Sequence, residues 1–280
     1  MKFVDTIQLP DWSKRTSESF SCNGEYFEDL IEGYKTLYTV GRELLPAELT
    51  TIESERYSGA RFLNRRYPSR EITVGYQLCC SSAKEVRAAF KILNLKMRDE
   101  LTLIFDDEPL YYYTAYLTDV DDVPEGKLSF ISEFTLMCPN PFKRSLVERQ
   151  EKATNGKVTF NYDGSQEAYP EIEVTFKSDC GYIGLANQNG RILQIGNVEN
   201  DTQESAPFKS GDVLTLKVEE GKIYVKGSSY VSTEVQYQLN NIGNQWDIFV
   251  LEYGICEIAA TVSSYATMPD IVVKYREVQT

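Results

Sequence analysis

Apolar and polar residues alternate one by one in a series of short segments of this 280-residue chain, and one stretch follows a helical period instead. A period of two puts successive side chains on opposite faces of a strand, so a chain written this way folds into half-buried sheets. Ile72–Leu78 shows the pattern; Leu101–Phe105, Leu110–Thr118 and Leu128–Met137 read as further strands, with Leu128, Phe130, Phe134 and Leu136 expected on one face. Between them, Ser82-Ala-Lys-Glu85 has the form of a capping box, in which hydroxyl and carboxylate take up free backbone N–H groups. Val86, Ala89, Phe90, Leu93 and Met97 then recur at helical spacing, which predicts one amphipathic helix over residues 83–98. The 19 Tyr and 13 Phe suit strands as well.

A chain of this length exceeds what one hydrophobic core usually absorbs. The charged run Lys143–Lys152, after Cys138-Pro-Asn-Pro-Phe142, marks a boundary or a short exit strand, giving domains of residues 1–145 and 146–280. Beyond it the alternation is cleanest: Ile172/Val174/Phe176, Leu214/Leu216/Val218, Ile223/Val225, then Val231/Thr233/Val235/Tyr237/Leu239 and Trp246/Ile248/Val250. Asn189-Gly190 and Glu219-Glu220-Gly221 supply tight turns. Short strands, Gly and Asn turns and no helical period predict an all-β sandwich of jelly-roll type.

Histidine is absent, which removes Ser-His and Cys-His nucleophile chemistry and most zinc catalysis. The six cysteines form no CxxC pair and read as free thiols rather than a disulfide or zinc framework. The formal net charge of −13 opposes a general affinity for phosphate backbones. No apolar stretch is long enough for a membrane span and no secretory leader is visible, so a soluble protein made in the cytoplasm is expected. No catalytic residue, cofactor or metal is assigned. Asp106, Asp107 and Glu108 could be read as a glycosidase acid pair, but carboxylates before Pro109 are more simply a turn. Asp119, Asp121, Asp122 and Glu125 lack EF-hand spacing and read as a solvated loop.

The first domain contains, in order, Ser21-Cys-Asn-Gly24, the Arg-rich segment with Gly59 ahead of a strand and the helix, Phe105-Asp-Asp-Glu-Pro109 with Tyr113-Thr-Ala-Tyr116, and Cys138-Pro-Asn-Pro-Phe142. Asn155-Gly156, Tyr169-Pro-Glu-Ile172, Gly211-Asp-Val-Leu214 and Gly221-Lys-Ile-Tyr224 continue the series through the second domain. In this order the segments resemble the distal tail protein family of long-tailed bacteriophages. Near Trp246 the chain departs from the family pattern, lacking a Pro-Gly-Asn-type turn. The resemblance implies a mainly β protein, with an N-terminal β-sandwich-like ring domain carrying one helix and a C-terminal galectin-like or carbohydrate-binding-module-like sandwich. It also implies a structural virion component: a hexameric ring at the tail tip that joins the tail tube to a tail-associated lysin, tail fibre or receptor-binding protein. DNA would pass through its channel without sequence-specific binding. An adhesin that binds cell-wall saccharide through the C-terminal sandwich is the alternative; a carboxylate-based hydrolase is a third.

Arg56, Arg61, Arg65, Arg66 and Arg70 form a basic island in this acidic chain. Their guanidinium forks suit carboxylates of a neighbouring subunit, which makes them the candidate oligomer interface. A solvated hairpin within one monomer, or contact with DNA, would also account for them. Trp246, Tyr224 and Tyr230 are the candidate glycan contacts, on fold analogy alone.

Overall fold

The structure is a computed structural model and describes residues 15–53, 58–124, 126–199, 201–227 and 235–280. The chain divides into two compact units, the first ending at Leu146 and the second spanning Val147–Gln279. The first is built from β1 (Phe20–Cys22), β2 (Glu25–Tyr26), α1 (Phe27–Leu30), β3 (Tyr34–Val40), β4 (Glu48–Glu53), β5 (Ala60–Arg66), β6 (Arg70–Cys79), α2 (Ala83–Lys96), β7 (Leu101–Phe105), β8 (Tyr111–Val120), β9 (Ser129–Cys138) and the start of β10 (Lys143–Lys152). The second contains β11 (Lys157–Tyr162), β12 (Glu171–Thr175), β13 (Tyr182–Asn187), β14 (Ile192–Gly196), β15 (Val213–Lys217), β16 (Lys222–Lys226), β17 (Gly254–Val262) and β18 (Asp270–Gln279).

Two Asn-Gly pairs make hairpin turns in which both central residues have positive φ, the type that Asn-Gly favours. Asn23 and Gly24 stand at φ 52° and 83° between β1 and β2, and Asn155 and Gly156 at 52° and 76° between β10 and β11. In the first unit the strands pair antiparallel in the order β2-β1-β7-β8-β9-β6-β3, with Arg144 and Ser145 of β10 opposite Tyr112 and Tyr111 of β8. Alternation along β6 buries Arg70, Ile72, Val74, Tyr76 and Leu78, and β9 opposes it with Phe130, Phe134 and Leu136. Tyr34 stacks on Tyr76 with ring centroids 5.4 Å apart, and α2 closes the core with Ala89 and Leu93.

Strand and helix positions follow the side-chain periods with three local differences. Leu128 lies outside β9 and is exposed, because the strand starts only at Ser129. A one-turn helix, α1, adds to the single helix expected; four residues are too few to show a period. α2 ends at Lys96 rather than Arg98. Its cap is also offset by one residue: Ser82 Oγ accepts from the Glu85 N–H at 3.3 Å, while the Glu85 carboxylate accepts from the Ser81 N–H at 2.8 Å and from the Ser82 hydroxyl at 3.0 Å.

In the second unit, β16-β15-β12-β18 and β11-β17-β13-β14 form two antiparallel sheets. Their buried rows include Ile172, Val174, Leu214, Leu216 and Val273 from the first sheet, and Val158, Ile183, Leu185, Leu193 and Ile258 from the second. The Tyr237–Leu239 and Trp246–Ile248 segments, expected as strands, are 3₁₀ turns, and Val231 and Thr233 lie outside the described residues. Their side chains explain the difference. This stretch offers Asn and Gln where a strand would alternate, and those amides bond to strand edges instead. Asn241 Nδ2 donates to the carbonyls of Gln194 and Gly196, both at 2.9 Å, and the Asn244 side chain bonds Gln194 N and O. Gln245 exchanges bonds with Ile192, and Gln236 N donates to Ile223 O. One irregular segment therefore covers the edge strands β14 and β16, a standard way of blocking strand-to-strand aggregation.

Replacing Ser82 by alanine removes the α2 cap and is expected to lower the stability of the first unit by about 1 kcal/mol, read as a shifted midpoint in chemical denaturation.

Candidate functional site

Between Gly41 and Arg70 the chain leaves the body of the first unit as a two-stranded hairpin. Among the described residues β4 and β5 pair only with each other, Glu48 facing Arg66 and Ile52 facing Arg61, with a register shift at Thr50/Thr51. Every residue of both strands is exposed, including Leu49 (62%), Ile52 (53%), Phe62 (57%) and Leu63 (49%). Isolated two-stranded hairpins are marginal in water, and these apolar side chains find no core of their own. The arm thus has the composition of an interface: apolar residues interleaved with arginines.

The structure separates the five arginines of the basic island. Arg61, Arg65 and Arg66 lie on β5; Arg66 Nε pairs with Glu48 at 2.7 Å, and the Arg65 guanidinium stands 5.8 Å from the Tyr67 ring centroid. Arg56 is outside the described residues. Arg70 is the correction. As the first residue of β6 it points inward, is 1% exposed, and donates from Nε to Pro141 O (2.7 Å) and from Nη1 to Gly41 O (2.8 Å). Strand alternation places it on the face of Ile72 and Val74, so it serves the interior and not the arm's surface.

Arg42, at the foot of the arm, is a further charged residue that the basic island does not include. Its fork donates to both oxygens of Asp107 at 2.7 and 2.8 Å, and it lies 4.1 Å from the Phe105 ring centroid. No charge pattern marks this pair, because the partners are 65 residues apart. The apolar residues of the arm did carry a signal: Phe62-Leu63 beside three arginines is unusual for a solvated hairpin.

Asp106, Asp107 and Glu108 occupy the β7–β8 turn, each with a different partner: the Tyr26 hydroxyl, Arg42 and Lys143. Hydrogen bonding from Arg42 holds the Asp107 carboxyl below its ordinary range, the reverse of what a glycosidase acid requires. Asp119 and Asp121 bond locally, through Val120 N and Glu133 O, and Glu125 is outside the described residues. Trp246 is half-buried and donates from Nε1 to Asn240 Oδ1 at 3.1 Å. Tyr224 is half-buried on β16 with the Lys217 ammonium 5.7 Å from its ring centroid, and Tyr230 lies outside the described residues.

Set beside known proteins, residues 28–137, which include the arm and α2, match the family model of the phage tail protein RIFT-related domain. Over nearly its whole length the chain also has the fold of the Dit protein of phage SPP1, described as a paradigm of the hub adsorption apparatus in phages infecting Gram-positive bacteria. The two share 14% identity over 93% of this chain and 98% of that one, with a TM-score of 0.74. A chain of the phage P2 baseplate in its activated conformation with Ca is 9% identical over 89% of this chain and 93% of that chain, with a TM-score of 0.48. No curated protein matches.

The lowered pKa of Asp107 gives a testable pH dependence. Its contribution to stability is present above the unfolded carboxyl pKa of about 4 and is lost as pH falls through the lower folded value. Asp107→Asn is therefore expected to flatten the fall in stability below about pH 4 relative to the parent, measured by denaturant titration across acidic buffers.

Proposed function

We propose that this chain is the distal tail protein of a long-tailed bacteriophage, a non-catalytic component of the virion. Copies of its first unit close into a ring at the tail tip, between the tail tube and the adsorption apparatus. The observation that carries the reading is the arm: an exposed hairpin with an apolar and basic surface, built into a phage tail protein domain. Such a surface is completed by a second copy of the chain. Because the arm differs from whatever it touches, the contact is heterologous, and repeated head-to-tail contacts of that kind close into a ring when the rotation allows.

Six copies are the proposed number. Stable contacts of this sort bury on the order of 1,600 Å² per interface. The tail tube protein occupies one face of the ring and a tail fibre, lysin-carrying or receptor-binding protein the other, with DNA passing through the channel unread. Arg61, Arg65 and Arg66 pair with carboxylates of the neighbouring copy, where guanidinium forks bind in bidentate fashion. The fold match over both units to a protein described as a hub supports the same reading.

The test is the mass in solution by size exclusion with light scattering. Six chains of 32.0 kDa give a discrete species of about 190 kDa. Changing Arg65 and Arg66 together to glutamate is expected to convert it to monomer while the thermal melt stays cooperative. An undisturbed assembly in the double variant would reject the interface role of these residues.

A further inference from the structure

Among the described residues β4 and β5 pair only with each other, so the arm's direction is set at its root. Three stretches of the first unit meet there at one side chain. Gly41 is where the chain departs for the arm, Arg70 is where it returns, and Pro141 lies where the chain leaves β9 for β10. The Arg70 guanidinium donates to the carbonyls of both Gly41 and Pro141, at 2.8 and 2.7 Å, and stands 5.6 Å from the Tyr113 ring centroid. Gly41 itself has φ +98°, and a Cβ there would sit 2.1 Å from Glu71 O, so the departing strand lies directly against the returning one. Beside this point Tyr67, the residue after β5, packs edge-to-face on Phe142 at 5.2 Å.

No carboxylate pairs with Arg70 among the described residues; its hydrogen bonds go to two carbonyls. A buried charge held only by neutral acceptors contributes little net stability, but two bonds from a rigid planar fork fix relative position well. A lysine ammonium has no such fork and cannot reproduce the two-point hold.

We propose that Arg70 is the positioning residue of the arm: its guanidinium locks the arm's two ends to each other and to the segment leading into β10, so that the arm leaves the body in one direction. The consequence for assembly rests on the ring reading above; the local consequence does not. A ring closes at a fixed number only if each arm leaves at the same angle. A loosened root predicts a spread of open and mis-numbered species.

The test compares the full chain with Arg70→Lys and Arg70→Gln by amide hydrogen exchange and light scattering. Peptides covering residues 41–45 and 139–145 are expected to exchange about tenfold faster in both variants, with the β6–β9 core unchanged, as for local opening at the root. The discrete assembly is expected to give way to a distribution of masses. Unchanged exchange at both segments overturns the proposal, whatever the assembly does. If neither variant folds, Arg70 serves the body of the unit rather than the arm, and the proposal also falls. A parent that is monomeric at every concentration defeats the ring reading alone, and the exchange data still decide the role of Arg70.

Discussion

A two-stranded hairpin has no face that can be buried by its own strands, and the β4–β5 arm puts this constraint at the centre of the molecule. Leu49, Ile52, Phe62 and Leu63 stay in water unless something else covers them. The cost of exposing such side chains is about 1.5–3 kcal/mol each relative to full burial, more than a marginal hairpin can offset by its own cross-strand bonds. The body of the first unit answers with rigidity at the root. The buried aromatic stack of Tyr34, Tyr76 and Phe134 holds β3, β6 and β9 together, and these strands deliver Gly41, Arg70 and Pro141 to one place.

The two units treat exposed strand edges in opposite ways. In the second, the segment from Gln236 to Gln245 spends its amides on the edges of β14 and β16, so neither is free to add a strand from another molecule. In the first, the arm is left uncovered and carries arginines in a chain of net charge −13. In the ring proposed above, association falls to the arm, and the net negative charge opposes unspecific contacts between copies.

Much of the fold could be read where a residue type has one structural use. Ser82 and Glu85 announced the start of α2, and Asn23-Gly24 and Asn155-Gly156 are hairpin turns because both positions need positive φ. The period of two located β6, and the shared face of Phe130, Phe134 and Leu136 located β9, because each strand has one face on the core. It failed at Trp246 and Ile248, which stand two apart in a 3₁₀ turn just after Gln245, whose side-chain amide is drawn to the edge of β14 at Ile192. Periodicity records which side chains are buried and says nothing about where backbone bonds go. The candidate site was half legible for the same reason. Arginine clustering in the sequence grouped Arg70 with Arg61, Arg65 and Arg66, yet strand alternation sends it inward. Its partners, Gly41 and Pro141, are 29 and 71 residues away, beyond any local pattern.

On the ring reading proposed above, the arm becomes part of a folded surface only by lying on another copy of the chain. Electron microscopy of the purified assembly, with image reconstruction good enough to trace β4 and β5, tests this most directly. Each arm is expected to lie against the neighbouring first unit, with Phe62 and Leu49 covered and Arg61 and Arg65 next to that neighbour's carboxylates. A closed ring whose arms project into solvent, or fold back on their own unit, would contradict it.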